Sequence, residues 1–110
     1  MAYDEDLAER IRDALRAEGG VTEKRMFGGL AFLVNGNMAV SASSQGGLLL
    51  RVHPAETDAV VREDGVTRFE MRGRPMDGWV RVDPSVTDSD PGVLRWVKIG
   101  VAYARSLPPK

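Results

Sequence analysis

The 110-residue chain contains no cysteine. Disulfides, thiol nucleophiles and cysteine-based metal sites are therefore excluded. Histidine occurs once, at His53, so imidazole clusters and His-paired nucleophiles have no material either. No apolar run approaches the roughly 20 residues needed to span a bilayer. The N-terminus, Met1-Ala2-Tyr3-Asp4-Glu5-Asp6, is acidic and lacks the basic-then-apolar layout of a signal peptide. A cytoplasmic protein with no membrane association is the expectation. A basic excess is missing too: 15 Lys and Arg stand against 16 Asp and Glu, for a net charge of −1. Proteins that hold duplex nucleic acid unaided draw most of their affinity from such an excess, so direct nucleic-acid binding is not expected.

What is present is enough for one domain, residues 1–110, with a core of its own. Residues 4–18 carry Leu7, Ile11, Ala14 and Leu15 at helical spacing. Asp6 followed by Glu9 reads as a capping-box variant, and Gly19-Gly20 as the left-handed stop. From residue 21 to 52 the period falls to two. An extended stretch at 22–27 meets Gly28-Gly29, a turn or bulge signal. The apolar run 30–34 is of strand length. Asn35-Gly36, a type I′ hairpin signal, sends the chain back through Met38-Ala39-Val40. A polar loop at 41–47 precedes a further strand at 48–52. Pro54 suits the first position of a short helix over 55–62. Two more strands, 66–71 and 78–82, flank a loop at 72–77, and a last helix runs from Asp90-Pro91 to about residue 106. Strand runs bracketed by helices, in the order α-β(3–4)-α-β2-α, indicate an α+β two-layer sandwich with a mainly antiparallel sheet.

Charge is distributed unevenly. Residues 1–23 hold seven carboxylates against three arginines, whereas residues 68–81 hold Arg68, Arg72, Arg74 and Arg81 against Glu70 and Asp77. Arg25, Arg51, Arg72 and Arg74 are candidate anchors for an anionic ligand or a partner carboxylate, because the planar guanidinium meets such groups bidentately. The competing fate of Arg25 is an internal ion pair with Glu23, Glu70 or Asp77. Trp79, close to the arginine loop, either lines an interface or joins the core, and Trp96 reads as core. His53, directly before Pro54, reads as a cap or an exposed residue. Gly28-Gly29 lacks the further glycine, lysine and hydroxyl positions of a phosphate loop, and a strand follows it where that loop needs a helix. No pair of carboxylates is singled out for acid/base work, and no cofactor is implied.

Lys24-Arg25-Met26-Phe27-Gly28-Gly29-Leu30 resembles the signature of the TfoX/Sxy N-terminal domain family. The resemblance continues through Asn35-Gly36-Asn37-Met38-Ala39, Leu49-Leu50-Arg51-Val52, Arg72-Gly73-Arg74-Pro75-Met76, Gly78-Trp79 and the Trp96-Val97 helix with Ala102 and Ala104. Arg51 stands where many members place a lysine. The resemblance implies a fold similar to the secretion-chaperone-like group and an association with regulation, since the best-known members control natural competence. Those members carry a second, helical domain, so a standalone N-terminal domain is expected here. The leading expectation is a regulatory module, not an enzyme, that contacts a protein partner through Arg25, Arg51, Arg72, Arg74 and Trp79. Pairing into a homodimer through a sheet edge stays open. The alternative is a domain, or minor enzyme, that binds a small anionic ligand.

Overall fold

The computed structural model describes residues 3–26, 28–71, 73–87 and 90–109. Helix α1 spans Glu5–Leu15 and buries Leu7, Ile11 and Leu15 of the predicted stripe together with Ala8, while Ala14 is half-buried against the core. Its cap is Asp4 instead of the Asp6–Glu9 pair. The Asp4 carboxylate accepts the N–H groups of Asp6 and Leu7 at 3.0 and 3.2 Å. Asp6 and Glu9 reach instead to Arg10 and Arg12, one turn along the helix. The helix ends three residues earlier than expected, and Gly20 turns the chain with φ of 75°.

Among the described residues, six strands form one antiparallel sheet: β1 (Val21–Met26), β2 (Gly29–Val34), β3 (Asn37–Ala42), β4 (Leu48–Arg51), β5 (Val66–Met71) and β6 (Arg74–Val82), in the spatial order β1-β2-β3-β4-β6-β5. The first turn explains its paired glycines. Gly28 has φ of 77°, and a Cβ on Gly29 would lie 2.2 Å from the Ala42 carbonyl oxygen on β3, a distance no side chain tolerates. Phe27 of the motif lies outside the described residues. Asn35 and Gly36 adopt φ of 52° and 84°, as the type I′ turn requires. On β3, Val40 opposes Phe32 while Met38 opposes Leu33, which leaves Ala39 as the extra residue of a bulge. Beyond this bulge β3 and β4 part company, pairing only Val40–Ala42 with Leu48–Leu50.

After β4, a 3-10 turn (Pro54–Glu56) leads into the four-residue α2 (Thr57–Val60), with Pro54 at the start as anticipated. His53 is the cap: its Nδ1 accepts the Ala55 N–H at 3.0 Å. The loop expected at 72–77 is mostly strand, because β6 begins at Arg74. Pro75 is tolerated there since β4 pairs only with Trp79–Val82, so the first part of β6 has β5 as its single neighbour. Asp77 and Gly78 (φ 87°) occupy the irregularity where the register jumps from Arg68↔Val80 to Glu70↔Pro75. Helix α3 spans Asp90–Ser106, with Asp90 as its first residue. Among the described residues, three helices pack on one face of the sheet, giving two layers. Their core is built from Ile11, Phe32, Leu50, Val80, Val93 and Trp96 among others. Trp96 is 3% exposed, as expected, and the Arg95 guanidinium lies 4.3 Å from its ring centroid. The fold is α+β.

Candidate functional site

The strand register decides which side chains face the helices. Leu30, Phe32, Val34, Val40, Leu48, Leu50, Val80 and Val82 do, and each is buried. The alternate positions form a separate apolar cluster with no helical member: Ala31, Met38 and Leu49, with Met26, Leu33, Phe69 and Trp79 packed around them. The first three are buried beneath their own neighbours, and the other four are half-buried. Among the described residues, no helix residue joins this cluster, and Tyr103 of the last helix reaches only its Arg51 end.

Arg51 stands at one end of that cluster, directly opposite Trp79 in the β4–β6 ladder. Its guanidinium carbon lies 5.2 Å from the Trp79 ring centroid and 5.4 Å from that of Tyr103 on α3. It sits just where β3 stops pairing with β4. His53, two residues on, packs edge-on against the same Tyr103 ring, with centroids 5.6 Å apart. Among the described residues no carboxylate pairs with Arg51. Cation–π contact with each ring contributes about 0.5–1 kcal/mol at a partly exposed site. Two rings hold the group in place while its N–H edges remain available for a carboxylate or phosphate.

The other predicted site residues do not converge on this point. Arg25 is exposed on β1, in register with Leu30, and so lies on the helical side of the sheet. Its strand is four spacings from β6, about 19 Å. The internal ion pair expected for Arg25 does not form, and two of its three proposed acceptors, Glu23 and Asp77, are engaged elsewhere. Arg12 of α1 holds Glu23 in a two-pronged contact at 2.7 and 2.8 Å, and Asp77 lies 3.2 Å from Arg68. Arg74, exposed, begins β6 at the tip of its hairpin, in register with Met71 and five residues before Trp79. Arg72 lies outside the described residues. Arg51 and Trp79 thus belong together, and Trp79 is part of a surface rather than of the main core.

Tyr103 was not singled out by sequence reasoning. Helical spacing places it on α3 but carries no sign that it meets Arg51 across the split between two strands. Arg81 was legible in principle, since alternation puts it on the face of Trp79. Its Nη2 donates to the Gly46 carbonyl at 3.1 Å.

Ionisation marks structural contacts instead of a reactive centre. Hydrogen bonding from Arg12 holds the Glu23 carboxyl below its usual range. The Ser85 backbone N–H does the same for Asp83, which caps the 3-10 turn Pro84–Val86. Among the described residues, no group of three or more His, Cys, Asp or Glu side chains is placed to hold a metal ion. Nor is any described helix long and apolar enough to cross a membrane. A separate groove of about 420 Å³ runs between α1 and the start of α3, lined by Arg10, Asp13, Ala14, Pro91 and Leu94. Its charged groups are occupied, Arg10 by Asp6 and Asp13 by Arg16.

No curated protein and no solved structure matches the chain. A family model does: that of the TfoX N-terminal domain aligns with residues 13–104, from the second half of α1 to the last turn of α3. The match contains every strand of the sheet together with Arg51, Trp79 and Tyr103, and the chain belongs to the TfoX N-terminal domain family.

Proposed function

We propose that this chain is a cytoplasmic, non-catalytic regulatory module that contacts a protein partner, in transcriptional or competence-type regulation, through the uncovered face of its sheet. The observation that carries this reading is the Arg51 guanidinium, seated between Trp79 and Tyr103 without a carboxylate at the rim of an apolar surface. Interfaces concentrate their binding energy on such groups, aromatic residues and arginines beside a desolvated apolar centre. Family membership supports the regulatory part. The use of the single histidine's Nδ1 as a backbone cap supports a module without acid/base chemistry.

The test is affinity recovery of the tagged protein from its native host, with Arg51→Glu and Arg25→Glu variants in parallel. The expected result is a specific protein that is lost with Arg51→Glu and kept with Arg25→Glu, since Arg25 lies on the other face. A partner that survives Arg51→Glu places the contact surface elsewhere and sinks the assignment. Recovery of a small anionic metabolite in place of a protein does the same.

A further inference from the structure

The register sorts charge as well as polarity. Positions on the uncovered face are Thr22, Lys24 and Met26 on β1, then Ala31, Leu33, Met38, Ser41, Leu49 and Arg51 through β4. Trp79 and Arg81 on β6 and Thr67 and Phe69 on β5 complete it. Among these described positions, Lys24, Arg51 and Arg81 carry charge and none is a carboxylate. Asp83, just past β6, accepts the Ser85 N–H and also lies beside Arg81, whose charge it partly balances, so Lys24 and Arg51 are the cations with no acidic neighbour on this face. In a chain whose net charge is −1, this is a segregated cationic rim.

The rim has a definite layout. One cross-strand row runs Lys24–Ala31–Ser41–Leu49–Arg81, with cations at both ends and small or apolar residues between. Its length is four strand spacings, about 19 Å. Alongside it, Leu33, Met38, Trp79 and Phe69 form a taller apolar ridge interrupted by Arg51. A helix rising 1.5 Å per residue covers that row in about 13 residues.

Resting on the docking face proposed above, we infer that the partner presents an acidic amphipathic helical segment. Its apolar residues lie over Ala31, Leu49 and the ridge, and its carboxylates meet Lys24 and Arg81 near the two ends and Arg51 at the side. Such a segment would be a second helical layer, and its charge answers every cation of the face. A basic or neutral segment would leave Arg51 and Lys24 desolvated beside apolar groups without a counter-charge, which is costly. The chain's own acidic helix, α1, is already committed to the opposite face.

The test uses the full chain labelled with 15N and an 18-residue helix-forming peptide with Leu and Phe on one face and two Glu near each end. A Glu→Gln version and a Glu→Lys version serve as partners in the comparison. The expected result is saturable shifts of the backbone amides of Lys24, Leu49–Arg51 and Trp79–Arg81. Affinity should fall about tenfold for the Gln peptide and further for the Lys peptide, and weaken with salt. A Lys24→Gln, Arg81→Gln double variant should abolish most of the difference between the Glu and Gln peptides, and Arg51→Gln a smaller part of it. If all three peptides bind this face equally, the acidic partner is overturned while the docking face stands. If shifts gather instead at Ala14 and Leu94, in the α1–α3 groove, or none saturate, both fall. Shifts on this face that grow with protein concentration alone would assign it to a second copy, and shifts produced only by phosphatidylglycerol vesicles to a membrane surface. Either result overturns the inference.

Discussion

Leu49 and Leu50 are neighbours in the chain and opposites in the fold. Leu50 is 0% exposed beneath α3, while Leu49, 4% exposed, belongs to the face with no helix over it. Accessibility alone hardly separates them, yet their surroundings differ. Leu50 is enclosed by a second layer of structure, so its burial contributes fully to folding. Leu49 is shielded only by side chains of its own sheet, which can move aside. One face is thus built to hold the protein together, and the other is apolar without being needed to the same degree. Apolar surface kept at the outside points to association.

This contrast can be broken most directly by a pair of truncations. Leu50→Ala should cost about 3–5 kcal/mol in urea unfolding, because the cavity is sealed between sheet and helix. Leu49→Ala should cost roughly half as much, about 1–2 kcal/mol, since its neighbours and water can fill the gap. Equal losses would mean that the uncovered face is a second core, and the docking reading would lose its basis.

Smaller effects sharpen the same division. Asp4→Ala removes the cap of α1 and should lower stability by about 1 kcal/mol, leaving peptide binding at the opposite face unchanged. Arg51→Gln should change stability by less than about 1 kcal/mol, the size of an exposed cation–π contact, while altering binding. The Arg12–Glu23 contact, half-exposed, should show a coupling under about 1 kcal/mol in a double-mutant cycle. Its pH dependence has a fixed sign. Glu23 titrates lower when folded, so its contribution is complete above the usual carboxylate range and disappears as pH falls through the lowered value. The stability curves of wild type and Glu23→Gln should therefore converge on acidification below about pH 4.3.

Local signals were the legible ones. Leu7, Ile11 and Leu15 fix a helical face, Asn35-Gly36 fixes a turn, and Pro54 fixes the start of a short helix, all through neighbours in sequence. The cap of α1 was misplaced because Asp4, Glu5 and Asp6 offer several acidic candidates in a row, and only the path of the backbone selects one. Pro75 read as a loop residue because the position of β4, which leaves that part of β6 without a second neighbour, is a tertiary fact. The partners of Glu23 and Asp77 were equally remote, coming from α1 and β5. The uncovered face did leave a trace. Residues 30–34 are an unbroken apolar run, where a strand with one wet side would alternate. That run marks β2 as apolar on both sides, though it cannot say that helices cover just one of them.

The exposed outer strand β1 bears on whether copies of the protein can add to one another. A free strand edge is a template for extension of the sheet, and uncontrolled extension leads to aggregation. A two-fold pairing of β1 with a copy that keeps both helical layers on the same side must be centred on a single residue. Centred on Glu23 or Arg25, it sets like charge directly against like charge, an arrangement that destabilises a sheet, whereas centred on Lys24 it also sets Glu23 against Arg25 twice, opposite charges that attract. The charged residues in the middle of this edge therefore disfavour two of the three central registers and leave the Lys24-centred one as the way in which two copies of β1 would meet.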